Sequence, residues 1–180
     1  MWWIEEDILA GSHNPSEQEL REAEKLGFTT LISLLDETEQ MPAYSLETIP
    51  MKRLRYRYSI PVRDYAAPTI QQLRKFIHLV HSSPGNVLVH CQGGSGRTGT
   101  FGVAWLISRG IPFDEALHII REANPDAVET AAQEECLRVF NDFKDDTVFG
   151  GSSRSNLMIT ADGIGGKFIE KRKALNSSEA

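Results

Sequence analysis

Val89-His90-Cys91-Gln92-Gly93-Gly94-Ser95-Gly96-Arg97-Thr98-Gly99-Thr100 is the stretch on which the reading of this chain turns. Asn86 to His90 is a short apolar run with the character of a buried strand, and a helix is predicted over 97–109. Between them, Cys91 to Gly96 is a turn containing Gly93, Gly94 and Gly96. Glycines let the backbone curl until successive N–H groups face inward, and such a nest at a helix N-terminus binds a tetrahedral oxyanion. Arg97 adds a planar fork able to hold two oxygens at once. The same positive surroundings favour thiolate over thiol, so one loop can both bind an oxyanion and ionise a nucleophile. Thr98 carries a hydroxyl able to donate to the sulfur of Cys91, and His90 is placed to orient the loop by hydrogen bonding.

Working outward, short apolar runs alternate with amphipathic segments, the pattern of an α/β protein. The fold class expected is a central, mostly parallel twisted sheet of about four to five strands flanked by helices. Strands are predicted at Ile8–Ala10, Thr29–Leu35 and Lys52–Ile60. In the last of these, Arg53, Arg55 and Arg57 alternate with Leu54, Tyr56, Tyr58 and Ile60, so the two sets are expected on opposite faces. Asn14-Pro15-Ser16-Glu17 reads as a helix start, with Asn14 as cap and Pro15 in the first turn, and Gly27 as the stop. Further helices are predicted over 69–82, 113–123 and 130–143, and loops over 36–50 and 61–68. After Phe143 the chain turns rich in glycine, serine and charge with weak periodicity. Residues 1–146 are therefore read as the catalytic domain and 147–180 as a C-terminal extension.

The 180 residues suit one domain, and a formal net charge of −6 makes non-specific binding to nucleic acid or to an anionic membrane a poor expectation. An anionic substrate must then be held by local design. Two cysteines, Cys91 and Cys136, are too few for a disulfide framework, and Cys136 shares a core-facing spacing with Leu137 and Phe140. The start of the chain lacks a secretory pattern and no run is long enough to span a bilayer, so a reduced, cytoplasmic protein is expected. His78, His81 and His118 lack companions at metal-ligand spacing, and neither a metal nor any other cofactor is expected.

His90-Cys91-x-x-Gly94-x-x-Arg97-Thr98-Gly99 resembles the signature of the protein tyrosine phosphatase superfamily. Residues from about 3 to 143 resemble its compact dual-specificity branch. Trp3-Ile4 with Leu9-Ala10-Gly11-Ser12 is similar to the N-terminal hairpin of that branch, and Pro61-Val62-Arg63-Asp64-Tyr65-Ala66-Ala67-Pro68 to its general-acid loop. Val128-Glu129-Thr130-x-x-Gln133 is similar to the segment that opens its last helix. The resemblance implies Cys91 as nucleophile, Asp64 as proton donor and later as base toward water, and Gln133 as a residue positioning that water. Asp126, Asp36 and Glu37 are weaker rivals for the acid. Substrate contacts are expected from Gln92, Gly93, Gly94, Ser95, Gly96 and Arg97, and from Arg63 and Gln133.

The variable loop positions Gln92, Gly93, Ser95 and Gly96 are all uncharged, whereas phosphoinositide-directed members of the superfamily place lysines there. The expected substrate is a phosphorylated protein or peptide, carrying phosphotyrosine and also phosphoserine or phosphothreonine. Two alternatives stay open: a phosphatase for RNA 5′ ends, glycans or small phosphorylated metabolites, and a phosphopeptide-binding pseudophosphatase. The sequence leaves the oligomeric state open.

Overall fold

The computed structural model describes residues 1–39 and 52–142, in the order β1 (Trp2–Glu5), β2 (Leu9–Ser12), α1 (Glu17–Lys25), β3 (Phe28–Ser33), β4 (Tyr56–Ser59), α2 (Ile70–Ser82), β5 (Asn86–His90), α3 (Gly96–Ser108), α4 (Phe113–Ala123) and α5 (Ala131–Asp142). The extension expected over 147–180 and most of the loop expected over 36–50 lie outside the described residues. The strands form one sheet in the order β1-β2-β5-β3-β4. Only the β1–β2 hairpin is antiparallel; β2–β5, β5–β3 and β3–β4 run parallel. The mixed, mostly parallel α/β sheet expected from the alternation of elements is the fold observed.

Parallel strands need crossover helices, and these bury the sheet. On one face, Leu20 and Ala23 of α1 close over Ala10, Phe28, Leu31 and Leu88, joined by Leu54. Toward the other face, α3 packs on β2 and β5 and is itself surrounded by α2, α4 and α5. Every residue of α3 from Gly96 to Ile107 is buried, which suits a helix apolar nearly all round. Phe76 of α2 meets Phe101 of α3 edge to face, with ring centroids 5.0 Å apart.

Two local expectations are corrected. α1 starts two residues later than predicted: Ser16 is the cap and forms a capping box with Glu19, while the Asn14 N–H bonds the carbonyl of Gln92. The segment 52–60 is not one regular strand. The Arg55 N–H bonds the Arg53 carbonyl at 2.8 Å, a three-residue turn that breaks the alternation before β4 begins. The four residues expected on one face are not alike: Leu54 and Ile60 are buried, but Tyr56 and Tyr58 are exposed, because β4 is the outermost strand among the described residues.

The register of the parallel strands decides where the loops meet. Ser12 pairs with His90, Ser33 pairs with both His90 and Ser59, and so four strands end level. In open α/β sheets ligands bind beyond the carboxyl ends of the strands. Here that edge carries residues 13–16, 34–39, 60–68 and 91–96.

At that edge His90 is completely buried, and loss of solvation lowers its pKa to about 4. The unfolded chain protonates near the ordinary value of 6.5, so between 6.5 and about 4 the unfolded state holds the extra proton. Stability must fall as pH drops through that window, by about 3 kcal/mol in all from this residue. Urea melts between pH 7 and pH 4 should show wild type losing about that much more than His90→Gln. Equal losses would assign the acid sensitivity to the carboxylates.

Candidate active site

Cys91 leaves the end of β5 only 3% exposed, and its sulfur accepts two hydrogen bonds, from the Gly94 N–H at 3.2 Å and the Thr98 hydroxyl at 3.1 Å. Gly94 has φ of 85°, and a Cβ there would lie 2.5 Å from the His13 nitrogen and 2.7 Å from the Ser12 carbonyl carbon. A side chain is thus excluded twice, by backbone conformation and by space. Alternate carbonyls along the turn are taken up by neighbouring loops. The Leu34 N–H bonds His90 O at 2.8 Å and the Asn14 N–H bonds Gln92 O at 3.1 Å. Gly94 O accepts from the Trp2 indole at 3.3 Å and from the Asn124 amide at 3.1 Å.

Arg97 opens α3 with its side chain 2% exposed, an unusual place for a guanidinium without partners. Two loops supply them. Glu39 takes both terminal nitrogens, at 2.5 Å and 2.8 Å, Val62 O accepts from Nη1 at 3.0 Å, and Asp64 Oδ1 lies 2.9 Å from Nη2. The Arg97 hydrogen bond holds the Glu39 carboxyl below the usual carboxylate range against the effect of burial. Burial alone would lower the Arg97 pKa, but Glu39, Cys91 and Asp64 outweigh it and raise it. The guanidinium therefore stays charged beside the sulfur.

The loop carrying Asp64 is tied down from both ends. Gln72 of α2 donates to Pro61 O at 2.7 Å, and α5 donates from Gln133 to Ala66 O at 3.3 Å and from Cys136 to Pro68 O at 3.0 Å. Tyr65 sits at φ of 57°, with its N–H on Asp64 Oδ1 at 3.1 Å and its carbonyl accepting from the Thr130 hydroxyl at 3.4 Å. The left-handed turn at Tyr65 thus sits where the chain presents Asp64 to Arg97, with about half of the Asp64 side chain still open to solvent.

The turn between α4 and α5 closes the remaining side. Val128 has φ of 61°, costly for a β-branched residue. Arg121 pins it, donating to Ala127 O at 3.1 Å, Val128 O at 3.0 Å and Glu134 at 2.8 Å. The turn brings Asn124 to Gly94 and sets the Glu129 carboxylate beside Gly96, where a side chain would have to displace it.

The structure brings Cys91, Thr98, Arg97 and Asp64 together, with His90 buried beneath them. Gln92 and Gly93 are exposed at the turn, while Gly94 and Gly96 are buried. Ser95 is half-buried, and Arg63 is exposed beside Asp64. Gln133 is fully buried, its amide oxygen accepting from the N–H groups of Glu129 and Thr130 at 2.9 Å and 3.2 Å. Of the rival acids, the Asp36 carboxylate caps Thr38 and the Glu39 N–H, and Asp126 is exposed. Cys136 is half-buried, and burial pushes its thiol pKa up. Glu39, Trp2, Asn124 and Glu129 escaped the sequence reading. Only Glu129 lay within a segment singled out there.

A family model described as "Swiss Army Knife protein, DSP-PTPase phosphatase domain" matches residues 1–137. Among solved structures, Tk-PTP in its active form is 37% identical, with a TM-score of 0.70, covering 78% of this chain and 95% of that one. "Protein tyrosine phosphatase domain-containing protein 1" of Mus musculus is 26% identical over 159 residues, 78% of this chain and 21% of that protein. "Dual specificity protein phosphatase 2" of Homo sapiens is 41% identical over 73 residues, 37% of this chain and 23% of that protein. This chain thus spans under a quarter of the length of either curated relative. With the family model matched over most of the chain and Tk-PTP matched nearly end to end, the chain belongs to the protein tyrosine phosphatase superfamily, as a DSP-PTPase phosphatase domain.

Proposed function

We propose that the chain hydrolyses phosphate monoesters on proteins or peptides, phosphotyrosine first and phosphoserine or phosphothreonine as well, through a phosphocysteine intermediate. One observation carries the reading: the Cys91 sulfur, the Arg97 fork and the Asp64 carboxyl converge, with Arg97 and Asp64 2.9 Å apart. In the first step the Cys91 thiolate attacks phosphorus while the bond to the leaving oxygen breaks, and protonated Asp64 gives its proton to that oxygen. In the second, ionised Asp64 takes a proton from water as it attacks phosphorus, and the sulfur departs as thiolate. The Thr98 hydroxyl, 3.1 Å from the sulfur, stabilises that departing charge. Inward N–H groups and Arg97 would hold the equatorial oxygens throughout.

The surroundings support a singly phosphorylated substrate. Gln92, Gly93, Ser95 and Gly96 bring no cation, and Glu39, Asp64 and Glu129 bring carboxylates to the loop's margin. Extra phosphates would meet like charge there. Among the described residues no helix is long and apolar enough to cross a membrane. The reading is of a cytoplasmic enzyme whose partner is its phosphorylated substrate.

Wild type should release phosphate from a phosphotyrosine peptide in EDTA and reductant, and Cys91→Ser should release none. Activity abolished by EDTA would overturn the phosphocysteine route. A hundredfold preference for RNA 5′ phosphates or sugar phosphates would replace the substrate class, and tight phosphopeptide binding without turnover would make the chain a binding module. Arg97→Lys should lose about 10²–10³ in kcat/KM, because an ammonium cannot reproduce the two-pronged contact. Asp64→Asn should slow esters of poor leaving groups by about 10² or more and those of good leaving groups far less. Equal slowing would remove Asp64 from the acid's role. Glu39→Gln should cost about 1–3 kcal/mol of stability, since it strips a buried guanidinium of its charged partner, read from urea melts.

A further inference from the structure

The turn that would hold phosphate is glycine-rich, and that raises a problem of its own. A Gly-Gly-Ser-Gly run has many conformations available, and only some aim their N–H groups at an anion. Something outside the turn must choose among them. For the peptides that follow His90 and Gln92 the choice is made by backbone N–H groups, of Leu34 and Asn14. For the peptide between Gly94 and Ser95 it is made by two side chains. The Trp2 indole N–H reaches Gly94 O from the N-terminal hairpin at 3.3 Å, and Asn124 Nδ2 reaches the same oxygen from the α4–α5 turn at 3.1 Å.

No described peptide is cis, so the C=O of Gly94 and the N–H of Ser95 point in opposite directions. The Gly94 N–H, one peptide earlier, points at the Cys91 sulfur. The Trp2 ring and the Thr98 methyl both crowd Gly11, whereas the Thr98 hydroxyl is on the Cys91 sulfur. Fixing the Gly94 carbonyl toward Trp2 and Asn124 therefore turns the Ser95 N–H away from both. We infer that Trp2 and Asn124 are positioning residues that jointly lock the Gly94–Ser95 peptide, and that through it they set the loop's affinity for a phosphate dianion. This rests on the loop being the phosphate site proposed above. Neither residue touches substrate. Both act through one oxygen, so each supports the peptide when the other is lost.

The test uses variants that keep shape and lose the donor: Trp2→Phe, Asn124→Leu and the double variant. Neither substitution adds charge, and Asn124 gives up two further bonds, a long one to the Ser95 hydroxyl at 3.4 Å and one from the Asp126 N–H on the exposed side. Inorganic phosphate is the probe, titrated by ¹⁵N NMR at a temperature where near-ultraviolet circular dichroism shows every variant folded. In wild type the Ser95 amide signal should move strongly downfield as phosphate binds. Each single variant should lose about threefold in affinity, and the double variant about thirtyfold or more, exceeding the product of the singles. The Ser95 shift should vanish with it. kcat/KM should fall by one common factor for good and poor leaving groups, unlike the split expected from the acid loop. A double variant that binds phosphate within twofold of wild type, or keeps the Ser95 shift, overturns the proposal. So does a thirtyfold loss already complete in one single variant, which would make the other residue mere packing. Wild type that binds phosphate but turns over no ester would sink the phosphatase reading while leaving this comparison intact.

Discussion

A guanidinium that cannot shed its proton is buried at the first turn of α3, and most of the arrangement around it answers that fact. A buried charge is tolerated only when it is paired and hydrogen-bonded. Its partners come from the loop after β3 in Glu39, and from the loop after β4 in the Val62 carbonyl and Asp64. Two loops distant in sequence are thereby drawn to one point beside the Cys91 sulfur. The level ends of the parallel strands make this geometrically cheap, since each loop starts from the same edge of the sheet.

The turn after Cys91 is built on a different principle. Its own residues contribute little stiffness, and its shape is imposed by donors on four neighbouring segments that take up its alternate carbonyls. The margin is imposed likewise: α5 grips the Asp64 loop through Gln133 and Cys136, and Arg121 holds Val128 in the left-handed region. Rigid elements thus hold irregular backbone in positions it would not keep alone.

How far the sequence carried these features follows from the range of the forces involved. The strand Asn86–His90, the turn and α3 were legible because strand burial, glycine and a helix start all act locally. α4 and α5 were placed to within a residue by apolar spacing and the prolines between helices. Segment 52–60 failed because a three-residue turn at Arg55 and an edge position, neither visible in alternation, decide where Tyr56 and Tyr58 point. Asp64 was reached through resemblance, not through spacing. Glu39 and Asn124 left no local trace at all: each matters through contacts to residues 58 or about 30 positions away, and ordinary loop carboxylates and turn asparagines look the same.

The bond from Trp2 to Gly94 spans 92 positions, and that from Asn124 reaches back 30. Contacts of such separation are made late, because a long loop must close before they stabilise anything. A chain emerging from a ribosome can lay down the β1–β2 hairpin at once, yet the Gly94 carbonyl gains its second donor only when the α4–α5 turn is made. The nascent protein therefore carries Cys91 for some time before the turn that follows it is fully braced, and the order of synthesis itself delays that shape until nearly all of the described fold exists.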